Sequence, residues 1–214
     1  MARAMNLAVP SGNVSFYNET AQGPALPTPT CMGVGIVEDI RKCVTTDLKR
    51  AHNPVYLIGE TKDEMGASML YRRYAGKAGK VPEVDATALS KNVDTVLAAG
   101  QAGLLKSCHD CSDGGLAITL AEMCIGGDLG LQLDLAGLGD ASFETKLFSE
   151  SNSRFVVEVD AAKRSDFERL ASDAVYLGMV EQDKRMVVRD GRRKVDLKVP
   201  AMRRAWNDAL WRLM

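Results

Sequence analysis

The sequence predicts an α+β fold, a layered α/β arrangement with a mixed β-sheet flanked by helices. Three observations carry that expectation. Between residues 53 and 172, short apolar and β-branched runs alternate with longer segments of helical period. From 174 to 198 strand-like runs follow one another directly, and a Trp-bearing helix then closes the chain. Apolar residues make up 46% of the 214 positions, enough to bury an ordinary globular core.

The elements follow in order. Residues 2–8 have the pattern of a closing helical turn, stopped by Pro10. Residues 10–30 read as loop, with Gly12, Gly23, Pro24, Pro27 and Pro29. Each proline in TPTC pushes the residue before it towards extended geometry. A continuous domain is expected from Cys31, opening on a strand in GVGIVEDI (33–40). NPVYLIGE (53–60) is a turn followed by the buried strand VYLIG. Asp63 to Tyr74 reads as a helix, with Asp63 in its first turn and Arg72 and Arg73 in its last. In 84–105, Leu89, Val93, Val96, Leu97 and Leu104 recur near a 3.6-residue period, the clearest helical signal of the chain.

Residues 106–127 read as a short strand, a tight turn and a helix ending at Gly126-Gly127. LGLQLDL (129–135) alternates as a half-buried strand does, and a short helix is expected over Phe143–Phe148. RFVVEVD (154–160) is a strand, and Asp160 caps a helix over 161–172. AVYLGMVEQ and RMVVRDGRRKVDLKV form a late β region in which Asp190-Gly191 marks a hairpin. Pro200 suits the first turn of the last helix, 200–213.

Bulk properties exclude several functions. A net charge of −1 gives no basic field for nucleic acid. No apolar run reaches the roughly 18 to 20 residues of a membrane helix, and MARAMNLAVP lacks the pattern of a signal peptide, meeting Pro10 and polar residues too soon. Five cysteines, an odd count without the spacing of a disulfide framework, point to reduced thiols and a cytoplasmic location.

Four stretches have the residue types of a site. CHDCSDGG (108–115) has two open readings. Cys108, His109 and Cys111, with Cys124 further on, offer zinc-type donors, but no second CxxC or HxxxH follows. Alternatively Ser112 or Asp113 caps the next helix, and Gly114-Gly115 lets its first turn approach a neighbouring segment or a phosphate. LFSESNSRF (147–155) puts Glu150, Ser151 and Asn152 before a buried strand, either facing a cleft or in an ordinary loop with Arg154 paired to a carboxylate. GETKDEMGAS (59–68) lacks the GK[ST] ending of a P-loop and suits tight packing. In PSGNVSFYNET (10–20), Gly12 permits a special turn, Asn13 offers a neutral oxygen of the kind Mg²⁺ accepts, and Ser15 can donate to an oxyanion; a plain polar turn is the other reading.

Taken together, SGNVSFYNET, HDCSDGGLAITLAEM and LFSESNSRFVVEV resemble one family in order and separation. It is the ATP-using synthetase subunit of phosphoribosylformylglycinamidine synthase. The HDxSDGG-like turn is shared by its wider superfamily: aminoimidazole ribonucleotide synthetase, selenophosphate synthetase, and the hydrogenase-maturation and thiamine-phosphate kinases.

The resemblance implies a fold like the aminoimidazole ribonucleotide synthetase C-terminal domain. Family members carry two tandem units, each with a ferredoxin-like dimerisation half and a larger α/β half. Residues 1–30 then correspond to the remnant of the second small half and 31–214 to the second large half, with Met1 not a natural start. The implied full-length reaction joins formylglycinamide ribonucleotide, ATP and ammonia from glutamine through an iminophosphate. The products are formylglycinamidine ribonucleotide, ADP and phosphate.

By resemblance Gly12 approaches ATP, Asn13 binds Mg²⁺ and Ser15 contacts the substrate. The implied partners are the glutaminase subunit and small accessory subunit of the same complex, with no nucleic acid and no membrane. Glu150, Ser151 and Asn152 match the ESQ substrate-binding stretch of the first large half, with Asn in place of Gln. In the second copy the matching site is non-catalytic and linked to an auxiliary nucleotide. His109 falls outside the family's catalytic-histidine motif, so no residue here is assigned catalysis. The rival expectations are a stand-alone nucleotide-binding or scaffold module docking a glutaminase, and a distinct kinase of the superfamily.

Overall fold

In a computed structural model the described residues are 2–15, 18–25, 28–75 and 79–211. Phe16, Tyr17, Pro27 and the end of the last expected helix lie outside them. The chain divides into two compact units, Met1–Arg41 and Lys42–Met214.

The first unit is mostly irregular. Two short strands, β1 (Glu19–Thr20) and β2 (Gly23–Pro24), pair antiparallel. Residues 2–6 form turns, as the helical-turn pattern anticipates in part. The expected strand over 33–40 is not formed: the backbone is irregular up to a 3₁₀ turn at Ile40–Lys42. Met32, Val34, Ile36 and Ile40 are exposed. A strand needs a neighbour for its peptide groups, and no described strand pairs with this stretch.

The second unit is built on a seven-stranded sheet in the order β4-β6-β3-β7-β5-β8-β9. Its strands are β3 (Pro54–Ile58), β4 (Leu105–Asp110), β5 (Gly130–Asp134), β6 (Phe155–Val159), β7 (Val175–Glu181), β8 (Arg185–Asp190) and β9 (Arg193–Lys198). All neighbours are antiparallel except β5 and β8, so the sheet is mixed as expected. The helices are α1 (Ala86–Gln101), α2 (Gly115–Gly127), α3 (Phe143–Phe148), α4 (Arg164–Leu170) and α5 (Val199–Trp211).

Every residue of β3 is buried, because both faces of the sheet are covered. Val55 and Leu57 enter a core shared with Leu116, Leu120 and Met123 of α2, Leu147 of α3 and Met202 of α5. Tyr56 and Ile58 point the other way, into a core with Ala99 of α1 and Phe167 of α4. That two-residue alternation is the strand's own geometry. Asp85 caps α1 by accepting from the Thr87 and Ala88 amides. Of the apolar positions that mark α1, Leu97 is largely exposed and Ala99 is the buried contact. The β8–β9 hairpin turns at Gly191-Arg192, where Asp190 faces Arg193.

One expected helix is corrected. Residues 63–68 are not helical, and only Met69–Leu70 and a π-helical turn at Tyr71–Ala75 follow. Tertiary partners outcompete the i−4 carbonyls for the backbone donors. The Gly66 amide donates to Lys80 O at 2.8 Å, and the Met69 amide to Glu150 Oε1 at 2.8 Å. A Cβ at Gly66 would stand 2.3 Å from Gly79 O, so this segment is packed against backbone. Tight packing was the reading GETKDEMGAS favours.

Candidate functional site

β3 and β4 each pair antiparallel with β6, so both end where β6 begins. The segment after β3, the turn after β4 and the loop before β6 therefore meet at one end of the sheet. Three of the four stretches singled out by composition are these three segments.

Glu150 ties two of them together. Its Oε1 accepts from the Gly114 amide at 2.8 Å and from the Met69 amide at 2.8 Å. Neither Ser112 nor Asp113 caps α2, contrary to expectation; both are exposed, and the helix starts on Gly114 with no side-chain cap of its own. A carboxylate from a distant loop supplies the negative charge that a helix N-terminus favours. Gly115 is required by its surroundings. Its φ is +64°, and a Cβ there would lie 2.4 Å from Ser149 O.

Ser149 and Ser151 bind the third segment. The Lys62 amide donates to Ser151 Oγ at 3.0 Å, and Ser149 Oγ donates to Lys62 O at 2.7 Å. Arg154, 1% exposed, is not paired to a carboxylate as expected. Its guanidinium donates to Ser151 O, Thr61 Oγ1 and Ser149 O. Burial pushes its pKa below the ordinary arginine value. The ESN stretch thus spends Glu150 and Ser151 on backbone groups of its neighbours, while Asn152 stays exposed. Nothing in the sequence marks Arg154 as the buried centre of this arrangement, because its acceptors are mostly main-chain carbonyls.

The zinc-type donors do not form a site. Among the described residues no three His, Cys, Asp or Glu side chains are placed to hold a metal. Cys111 and Cys124 are buried in the core. Burial pushes the Cys108 and Cys124 thiols up to about 12 and raises that of Cys111, the opposite of what a thiolate ligand needs. His109 instead pairs through Nε2 with Glu122 at 2.9 Å.

Gly12, Asn13 and Ser15 lie in the first unit and are exposed. Asn13 Nδ2 donates to Ser15 Oγ at 3.2 Å, and Asn18 Nδ2 to Ser15 O at 2.8 Å. Among the described residues, chain neighbours aside, no atom lies within 4 Å of a Cβ built at Gly12. With its amide nitrogen engaged on Ser15, Asn13 keeps its carbonyl oxygen as the donor that fits a hard cation.

A mixed sheet covered on both faces, with polar segments gathered at one end around a glycine-initiated helix, defines a layered α+β domain. The chain belongs to the family described as AIR synthase related protein, C-terminal domain, which matches residues 50–191. It is 40% identical over 205 residues to the phosphoribosylformylglycinamidine synthase subunit PurL of Methanothrix thermoacetophila. That alignment takes in 94% of this chain and 27% of the subunit, so the chain spans about a quarter of this relative's length.

Among solved structures, T. maritima PurL complexed with FGAR superposes with a TM-score of 0.67 at 19% identity, over 77% of this chain and 30% of that one. For PurLQS from Thermotoga maritima the TM-score is 0.62 at 19% identity, over 77% and 28%. E. coli HypE, a hydrogenase maturation protein, gives 0.54 at 16% identity, over 74% and 52%. These structural likenesses establish the fold.

Proposed function

We propose that the chain is the C-terminal part of the ligase subunit of phosphoribosylformylglycinamidine synthase. The whole subunit is an ATP-dependent carbon–nitrogen ligase of de novo purine biosynthesis. It converts formylglycinamide ribonucleotide, ATP and glutamine-derived ammonia to formylglycinamidine ribonucleotide, ADP and phosphate. The observation that carries this reading is the 40% identity to the archaeal PurL subunit along 94% of the chain.

In this reading residues 1–30 are the remnant of the second ferredoxin-like half and 31–214 the second large half. Gly12 approaches ATP, Asn13 contributes one oxygen to Mg²⁺ and Ser15 contacts the substrate. A bound Mg²⁺ would neutralise charge on the phosphoryl oxygens; what these residues would supply is a backbone open to approach, one neutral oxygen and one hydroxyl. The partners are a glutaminase subunit and a small accessory subunit, in the cytoplasm. No described helix is long and apolar enough to cross a membrane.

A chimera tests the proposal. The chain replaces the matching residues of the Methanothrix subunit, and amidine formation from Mg·ATP and ammonia is measured beside the isolated chain. The chimera is expected to turn over and the isolated chain to be inactive. A folded, assembled chimera without activity refutes the ligase reading, and a purification-resistant rate from the chain alone refutes the fragment reading.

A further inference from the structure

Beside the interlocked loops lies a small cleft of about 70 Å³, between the segment after β3, the loop before α1 and the 151–153 loop. Four carboxylates, Glu60, Glu64, Glu83 and Asp85, line it together with one side-chain ammonium, that of Lys62, whose charge acts on Asp85. Glu64 is 1% exposed. Its Oε1 accepts from the Glu83 amide at 3.2 Å, while its Oε2 is buried with no hydrogen-bond partner among the described residues. A buried carboxylate oxygen left without a donor is costly and rare. Arg154, a buried cation on which the Glu64 charge acts, spends its hydrogen-bond donors on Ser151 O, Thr61 Oγ1 and Ser149 O.

We propose that this cleft binds a primary ammonium group of an aliphatic di- or polyamine. The missing partner of Glu64 is a hydrogen-bond donor, and the three further carboxylates, which outnumber the single Lys62 ammonium of the lining, make a cationic donor the favoured one. The chain's own Lys80 shows the chemistry at the rim. Its Nζ lies 3.1 Å from Glu83 Oε2 and 3.7 Å from Glu64 Oε1, on a side chain 61% exposed.

A metal ion fits less well. No three acidic side chains of the described residues converge at metal spacing. Anionic substrates are disfavoured by the same four carboxylates.

The rest of the ligand has a place. A groove of about 390 Å³ shares Glu60, Ala88 and Asn92 with the cleft and continues along Ile58, Leu170 and Val175. Methylenes suit those apolar walls. The groove also carries the Lys91–Asp173 ion pair, so a second ammonium would share the Asp173 carboxylate with Lys91. This site goes beyond the ligase reading and does not depend on it.

Calorimetric titration of the 214-residue chain with spermidine and putrescine at low salt tests it. Saturable binding is expected, with none for butane-1,4-diol and no displacement by MgCl₂ once its general ionic-strength effect is matched with NaCl. Glu64→Gln is expected to weaken binding by about tenfold or more, since a charged acceptor is lost. Lys80→Ala is expected to tighten it, by removing the competing ammonium. Glu181→Gln, at the opposite end of β7, is expected to change nothing. Equal losses in the Glu64 and Glu181 variants, binding of the diol, or displacement by Mg²⁺ overturns the proposal. Should Glu64→Gln fail to fold, the exposed Lys80→Ala variant decides: unchanged or weaker binding overturns it.

Discussion

Glu158 offers the sharpest test of how the sheet is held. It is the penultimate residue of β6, fully buried. Its two oxygens accept from the Lys49 amide at 2.8 Å, the Arg50 amide at 3.0 Å, Asn53 Nδ2 at 2.6 Å and Ser107 Oγ at 3.1 Å. One carboxylate therefore fastens the 49–53 loop to the neighbouring strand β4. Glu158→Ala removes every one of these acceptors at once.

Asn53 and Ser107 are buried and cannot turn to solvent, and each stranded donor costs about 1–3 kcal/mol. The two amides are only partly buried, so water entering the vacated space recovers much of their loss. The expected destabilisation is about 3–4 kcal/mol, within the range for breaking a buried charged interaction. In a domain of this size that lowers Tm by about 6–15 °C. Urea unfolding followed by circular dichroism gives the number, with an unchanged m value showing that stability alone has moved. Glu158→Gln keeps one acceptor and the side-chain volume, and is expected to lose less than the alanine variant. A loss below about 1 kcal/mol for Glu158→Ala means that the four bonds do not act together, and the reasoning fails.

Two further outcomes follow from the same geometry. Gly115→Ala places a methyl 2.4 Å from Ser149 O at a φ of +64°; the left-handed backbone and the overlap together cost about 3 kcal/mol, read as a drop in the urea midpoint, and a neutral result shows that the loop yields freely. Asp85 has its carboxyl held below the usual range, first by the Ala88 amide and then by that of Thr87. Its cap on α1 is therefore complete above the ordinary aspartate pKa and lost as pH falls through the lowered value. Amide exchange at Thr87 and Ala88, corrected for intrinsic rates, should speed up only in that acidic window; an Asp85→Ala variant that keeps the same window rules the cap out.

The parts of the fold that local pattern controls were legible. VYLIG is a strand because a contiguous apolar run suits a position covered on both faces, and α1 follows from its period and from Asp85 before it. The misread elements are those whose partners lie far along the chain. Asp63–Tyr74 has helical composition, yet Lys80 and Glu150 take its amides. GVGIVEDI has strand composition and no described strand to pair with. Nothing in RFVVEVD marks Glu158 as buried, since its donors come from residues 49–53 and from Ser107. Glu64 is invisible for the same reason: only the fold encloses one carboxylate among three others.

The ESN stretch shows how far motif likeness carries. A carboxylate, a hydroxyl and an amide before a buried strand fit either a cleft or an ordinary loop when read alone. In the folded chain Glu150 holds the Gly114 and Met69 amides, and Ser151 holds that of Lys62. Those backbone donors need acceptors whether or not a ligand is present, so the fold alone accounts for two of the three residues. The polar groups left over at this end of the sheet are of a different kind: the exposed Ser112, Asp113 and Asn152, and the buried oxygen of Glu64 that no described residue satisfies. A ligand at this end would meet those groups first. Substituting Glu150 therefore reports on how the loops are braced, whereas substituting Glu64 reports on what the cleft binds.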